Sequence, residues 1–139
     1  MYIDTRDLET TREELKQVIF DSFLETFEHY QEMTESFEDI RFEEEEIQSW
    51  KEGWEDQLEQ IEEIDNIESE CSEFSFGETL INEDDFEEYC EDFVKDCGYV
   101  HQDMPSIIYN NIDWSGIADD MKQDYSEIKY QGNTYLYRS

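Results

Sequence analysis

The chain has 139 residues, with 41 acidic against 9 basic side chains and a formal net charge of −32. That length fits one domain or two very small ones, and a charge so far from balance excludes direct binding to the phosphates of nucleic acid and calls for a basic partner. Disorder, the usual outcome of high charge with low hydrophobicity, is opposed by 3 Trp, 9 Tyr and 9 Phe, which bury large areas per side chain.

From Thr10 to about Tyr30 the residues Leu15, Val18, Ile19, Phe23, Phe27 and Tyr30 recur at three- and four-residue steps, which predicts a helix with one buried face. Thr11 with Glu14 reads as its capping box. The polar stretch 31–39 turns the chain. A second helix, about Ile40 to Asn66, is expected to bury Ile47, Trp50, Trp54, Leu58, Ile61 and Ile64. Residues 69–81 form a connection with a short strand at 73–76. A third helix starts at an Asn82 or Asp84 cap, runs through Phe86, Tyr89, Cys90, Phe93, Val94 and Cys97, and stops at Gly98. Pro105 starts a short turn through Ile107, Ile108 and Tyr109, and Asp113 caps a helix carrying Trp114, Ile117, Ala118, Met121 and Tyr125. The end alternates around Gly132-Asn133 as a hairpin that pairs Tyr130 with Tyr135 and Ile128 with Tyr137, with this aromatic face laid over the helices. The fold class is therefore α+β and predominantly helical: about four amphipathic helices with a small C-terminal β-hairpin. One acidic domain over 1–139 is expected, with a helical hairpin over 1–70 and helices plus the β-hairpin over 71–139 as its sub-units.

Cys71, Cys90 and Cys97 form an odd set without CxxC spacing, so neither a disulfide framework nor a zinc ribbon is expected. Cys90 and Cys97 read as small buried hydrophobes. The start MYIDTRDLETTREE lacks the pattern of a signal peptide, and no apolar run approaches the roughly 20 residues of a membrane span. A cytoplasmic protein without membrane contact is the expectation.

Charge is unevenly placed. Residues 35–92 hold 25 acids against two bases, Arg41 and Lys51. The acids interleave with the apolar stripes, so folding should sort them outward. On the second helix these are Glu43, Glu44, Glu45, Glu46, Glu52, Glu55, Asp56, Glu59, Glu62 and Glu63; around the third they are Asp84, Asp85, Glu87, Glu88, Glu91 and Asp92. These sixteen form the expected partner-binding surface. A helix from Glu43 to Glu68 would span about 37 Å, with acids three or four apart spaced about 5 to 6 Å, comparable with phosphates along a DNA strand. Like-charge pairs four apart cost about 0.2 to 0.5 kcal/mol each, and solubility needs a net charge of only about 2 to 8. A plain solvated face does not account for −32. A surface imitating the DNA backbone does.

The segment NIDWSGIADDMKQDYSEIKYQGNTYLYR resembles the closing segment of ArdA-type antirestriction proteins, in Asp113-Trp114, Ala118 to Asp120, Asp124-Tyr125 and Tyr137-Arg138. The resemblance covers residues 111–138. It implies an acidic DNA-mimic inhibitor carried by a phage or mobile element, acting in the host cytoplasm on type I restriction-modification enzymes, often as a homodimer. An anti-CRISPR inhibitor of a Cas effector, or an acidic binding module or chaperone for a basic protein, fits the same charge pattern.

Enzymatic readings find no motif. No pair among the 41 acids stands out as the acid and base of a glycosidase. The positions three before His29 and His101 are Thr26 and Gly98, so the Glu-x-x-His of a di-iron bundle is absent. HExxH, the EF-hand loop, Walker and GxGxxG patterns are also absent. Cys97 with His101 makes a poor thiol pair, because a helix C-terminus disfavours thiolate. Divalent cations would be held only loosely by the acidic face. No catalytic residue, cofactor or dedicated metal ligand is expected.

Overall fold

In the computed structural model, which describes residues 2–99 and 103–138, the first helix begins earlier than its apolar spacing announces. Helix α1 is Thr5–Thr26, and its buried positions are Thr5, Leu8, Arg12, Ile19 and Phe23. Arg12 extends the buried stripe toward the N-terminus while reading as polar in the sequence. The Thr11-Glu14 capping box is therefore overturned, since both residues lie inside the helix. Val18 is more than half exposed and leaves the core list.

The long second helix is also overturned. Between α1 and residue 54 the chain makes three short 3-10 turns, Glu28–Tyr30, Phe37–Asp39 and Glu45–Ile47, then a short α2, Gln48–Glu52. Helix α3 begins afresh at Glu55 and runs to Glu70. Two causes act together. In a continuous helix Glu43 and Glu46 would face each other as a like-charge pair, and Glu44 is in fact extended. Gly53 closes α2, where glycine costs a continuing helix about 1 kcal/mol relative to alanine, and Trp54 before α3 is non-helical.

The chain divides into two compact units, Thr5–Phe76, and Met1–Asp4 with Gly77–Ser139. In Thr5–Phe76, α1 packs on α3. Its core cluster joins Ile19, Phe23, Ile40, Ile47 and Ile61, flanked by half-buried Trp50, Trp54 and Leu58. Trp50 stacks edge-on against Phe23 and Phe27, and its indole N–H donates to Ser22 Oγ at 3.1 Å. Both tryptophans thus belong to the rim of the core.

The other unit is a four-stranded antiparallel sheet in the order β1-β2-β4-β3, with helices α4, Phe86–Asp96, α5, Ser106–Tyr109, and α6, Trp114–Met121. The strands are β1, Tyr2–Asp4, β2, Thr79–Asn82, β3, Tyr125–Tyr130, and β4, Asn133–Arg138. The strand expected at 73–76 is instead a 3-10 turn, Phe74–Phe76, and the true strand follows it. Tyr125, expected on the last helix, opens β3. Ile81 and Leu136 are cross-strand partners and build the core with Phe86, Cys90 and Ala118.

The hairpin turns one residue earlier than Gly132-Asn133 suggested. Its central residues are Gln131 and Gly132, with φ of 51° and 81°, the two left-handed positions of a type I′ turn. Ile128 pairs with Tyr135, and Tyr130 with Asn133, so the register moves by two residues. A shift of two preserves side-chain parity, and Ile128, Tyr130, Tyr135 and Tyr137 still share one face and are all buried. The face against the helix core is the opposite one, which carries Ile81, Leu136 and Tyr125. The whole is a predominantly helical α+β fold.

Candidate acidic interaction surface

The apolar stripes of the helices decide which acids face outward. On α3, burial of Ile61, Ile64 and Ile67 turns Glu55, Asp56, Glu59 and Glu62 to solvent and leaves Glu63 half-buried. Glu55, Glu59 and Glu62 follow one another at four- and three-residue steps and border a shallow groove with Phe42, Leu58 and Lys51. Lys51 Nζ lies 6.0 Å from the centroid of the Phe42 ring. Glu43, Glu45, Glu46 and Glu52 are exposed and Glu44 is half-buried, but none of them belongs to α3. The continuous ladder expected from 43 to 68 shortens to the 16 residues of α3, about 24 Å.

In the sheet unit, Asp84, Glu87, Glu88 and Asp92 are exposed, and Asp85 and Glu91 are half-buried. Asn82 accepts from the Asp84 backbone N–H at 2.9 Å, a cap that orients the Glu83–Asp85 turn leading into α4. The sixteen acids therefore form two groups, ten in Thr5–Phe76 and six in Gly77–Ser139, and none is buried.

Some are engaged within the protein. Tyr109 donates to Glu91 Oε1 at 2.5 Å and Lys95 Nζ approaches it at 3.2 Å. These two contacts, the tyrosine first, hold the Glu91 carboxyl below the usual carboxylate range. Tyr30 donates its hydroxyl to Glu46, which raises the Tyr30 pKa, and His29 Nε2 lies 3.6 Å from the same carboxylate.

Sequence reasoning missed the cations that organise this surface. Arg12, with 8% of its side chain exposed, reaches Asp65 Oδ1 at 2.8 Å and Glu68 Oε1 at 3.2 Å, and its second terminal nitrogen donates to Glu68 Oε2 at 3.2 Å. This fork, with the Glu68 hydrogen bond foremost, raises the guanidinium pKa. Lys16 Nζ binds Glu38 Oε1 at 2.8 Å and draws that carboxyl below its usual range. The available signal was an arginine four residues after Leu8 and seven before Ile19, in phase with the buried stripe.

Cys71 and Cys90 are buried, and the expectation that Cys97 is buried is corrected: it is exposed, because α4 ends at Asp96 and Cys97 is its cap. Burial pushes the Cys90 thiol up to about 11. His101 lies outside the described residues. Among the described residues, no group of three or more His, Cys, Asp or Glu side chains is placed to hold a metal ion, and no helix is long and apolar enough to cross a membrane. No protein-family model, curated protein or solved structure matches the chain.

Proposed function

We propose that this protein is a non-enzymatic DNA mimic that occupies the DNA-binding cleft of a host defence protein, with a restriction-modification enzyme as the first target class, and that it acts in the cytoplasm of the host cell. The observation that carries this reading is the outward display of sixteen carboxylates, none buried, on a chain whose buried guanidinium is already consumed by Asp65 and Glu68. Twelve of the sixteen are exposed and present most of that negative field outward. Rows of acids three and four apart on α3, about 5 to 6 Å from one another, present fixed anions at a spacing a phosphate-gripping cleft accepts. The resemblance at residues 111–138 supports the same class of target and a homodimer.

The test replaces Glu52, Glu55, Asp56, Glu59 and Glu62 by Gln or Asn and measures competition with duplex DNA for the target captured from host lysate. At roughly 0.5 kcal/mol for each rim charge, five replacements weaken binding on the order of 70-fold, and circular dichroism stays native. Affinity for the target should also fall steeply with salt, as phosphate contacts do. Unchanged inhibition by the five-fold variant, or a captured partner indifferent to competing DNA, rejects the mimic; the second result is the behaviour of an acidic chaperone.

A further inference from the structure

In Thr5–Phe76 the connection from α1 to α2 folds around an open cavity of about 530 Å³. Its floor is apolar, made by the buried Phe23, Ile40 and Ile47. Tyr30 forms a wall and lies nearly parallel to Phe23, with ring centroids 5.7 Å apart and planes at 29°. Glu43 and Glu44 complete the lining with Glu38 and Asp39. Glu38 is held by Lys16 and Asp39 accepts the backbone N–H groups of Glu35 and Ser36, which leaves Glu43 and Glu44 to meet a ligand.

One further lining residue is Thr34, only 5% exposed. No hydrogen bond of its hydroxyl is seen among the described residues, and its oxygen is not one of the sealed atoms of the interior; the residue lines the cavity. In the open cavity water can serve that hydroxyl, so an occupant that displaces the water must return a hydrogen bond. An apolar ligand would leave it unpaired, and an anion would meet four carboxylates. Arg41 also lines the cavity but is exposed and is outnumbered by those acids.

The complementary group is a cation on an apolar stem. Methylenes suit the floor, the carboxylates of the lining attract a cation, and a guanidinium supplies several N–H donors at once. We infer that this cavity receives one arginine side chain of the partner, its stem on Phe23, Ile40 and Ile47 and its guanidinium donating to Thr34 and to Glu43 and Glu44. The inference rests on the reading of the partner as a basic DNA-binding cleft, and it makes one contact an inserted anchor rather than a surface pairing.

The probe is agmatine, a guanidinium on a four-carbon chain, titrated into the full-length ¹⁵N-labelled protein at 150 mM NaCl. The expected result is saturable shifts at the amides of Thr34, Ile40 and Ile47, with guanidinium chloride much weaker because it lacks the stem. Thr34→Val keeps the shape and should weaken agmatine about tenfold, the worth of one hydrogen bond to a charged group. The double variant Glu43→Gln with Glu44→Gln should weaken it at least as much. Glu25→Gln, which removes one charge outside the cavity lining, should leave it within twofold. Shifts that never saturate and scatter over exposed acids, or equal affinity in Thr34→Val and the parent, overturn the inference. Because the titration needs no partner, an agmatine-blind cavity in a protein that still competes with DNA sinks the anchor alone, whereas lost DNA competition sinks the mimic alone.

Discussion

Residues Thr5–Phe76 carry 25 acids and 5 bases, whereas Met1–Asp4 with Gly77–Ser139 carry 16 and 4. The more charged unit is joined by side chains: Arg12 from α1 grips Asp65 and Glu68 of α3, and Lys16 grips Glu38. The less charged unit is joined by backbone ladders among four strands, and its Lys95–Glu91 ion pair lies within one helix. A strand ladder is indifferent to side-chain charge, while two acidic helices repel unless a cation sits between them. Where the charge is greatest, two of the five bases, Arg12 and Lys16, are used as clamps inside the fold, and the exterior stays strongly negative.

The largest expected effect breaks the clamp. Arg12→Met keeps most of the stem but leaves Asp65 and Glu68 without their cation. Because those carboxylates are about half exposed and can rehydrate, the loss is about 2 kcal/mol rather than the larger cost of a fully buried pair. Hydrogen exchange should quicken first in α1 and α3, and exchange that quickens first in β3 and β4 would contradict the comparison. Arg12→Lys should lose part of this, since an ammonium cannot reproduce the fork.

The five-fold neutralisation of Glu52, Glu55, Asp56, Glu59 and Glu62 should act in the opposite direction on stability. Relief of like-charge pairs on α3 gives about 1 kcal/mol, read as a higher denaturation midpoint, and the gain should shrink in 1 M NaCl as screening replaces it. A lower midpoint would mean that these acids are structural.

Tyr109→Phe removes the hydrogen bond to Glu91 and should cost about 1 kcal/mol at neutral pH. Glu91 titrates lower in the folded state than in the unfolded chain, so its contribution is full above the unfolded pKa and lost as pH falls through the folded one. The variant should therefore match the parent in acid and fall below it toward neutrality; a gap independent of pH would assign the effect to packing.

The smallest effect lies in the hairpin. Gln131 has φ of 51°, a region that costs an ordinary side chain roughly 1 kcal/mol. Gln131→Gly should recover about 0.5 kcal/mol after its own chain entropy is counted, with β3 and β4 gaining protection and the helical unit unchanged.

Much of this molecule was written in short-range pattern. The spacing of Ile61 and Ile64, of Phe86 and Cys90, and the Asp113 cap, which accepts from Gly116 N–H at 3.0 Å, are local features, and the structure carries them as read. The acids were legible for the same reason: next to an apolar stripe, a carboxylate has only one side on which it stays hydrated. Helix ends were less legible. Gly53 is tolerated inside many helices, yet here it coincides with the break between α2 and α3, while Glu43–Glu46 fall in the turns before α2.

What the sequence by itself determined is the sign and abundance of charge, the apolar phase of each helix and the parity of the hairpin, because each follows from a period of 3.6 or 2. Only the tertiary structure decided that Arg12 is a buried clamp, that β1 joins β2 across the 74 residues between Asp4 and Thr79, and that Thr34 lines a cavity. Those depend on groups distant in the chain meeting in space, where burial changes what a charge or a hydroxyl costs, and no local spacing encodes that meeting.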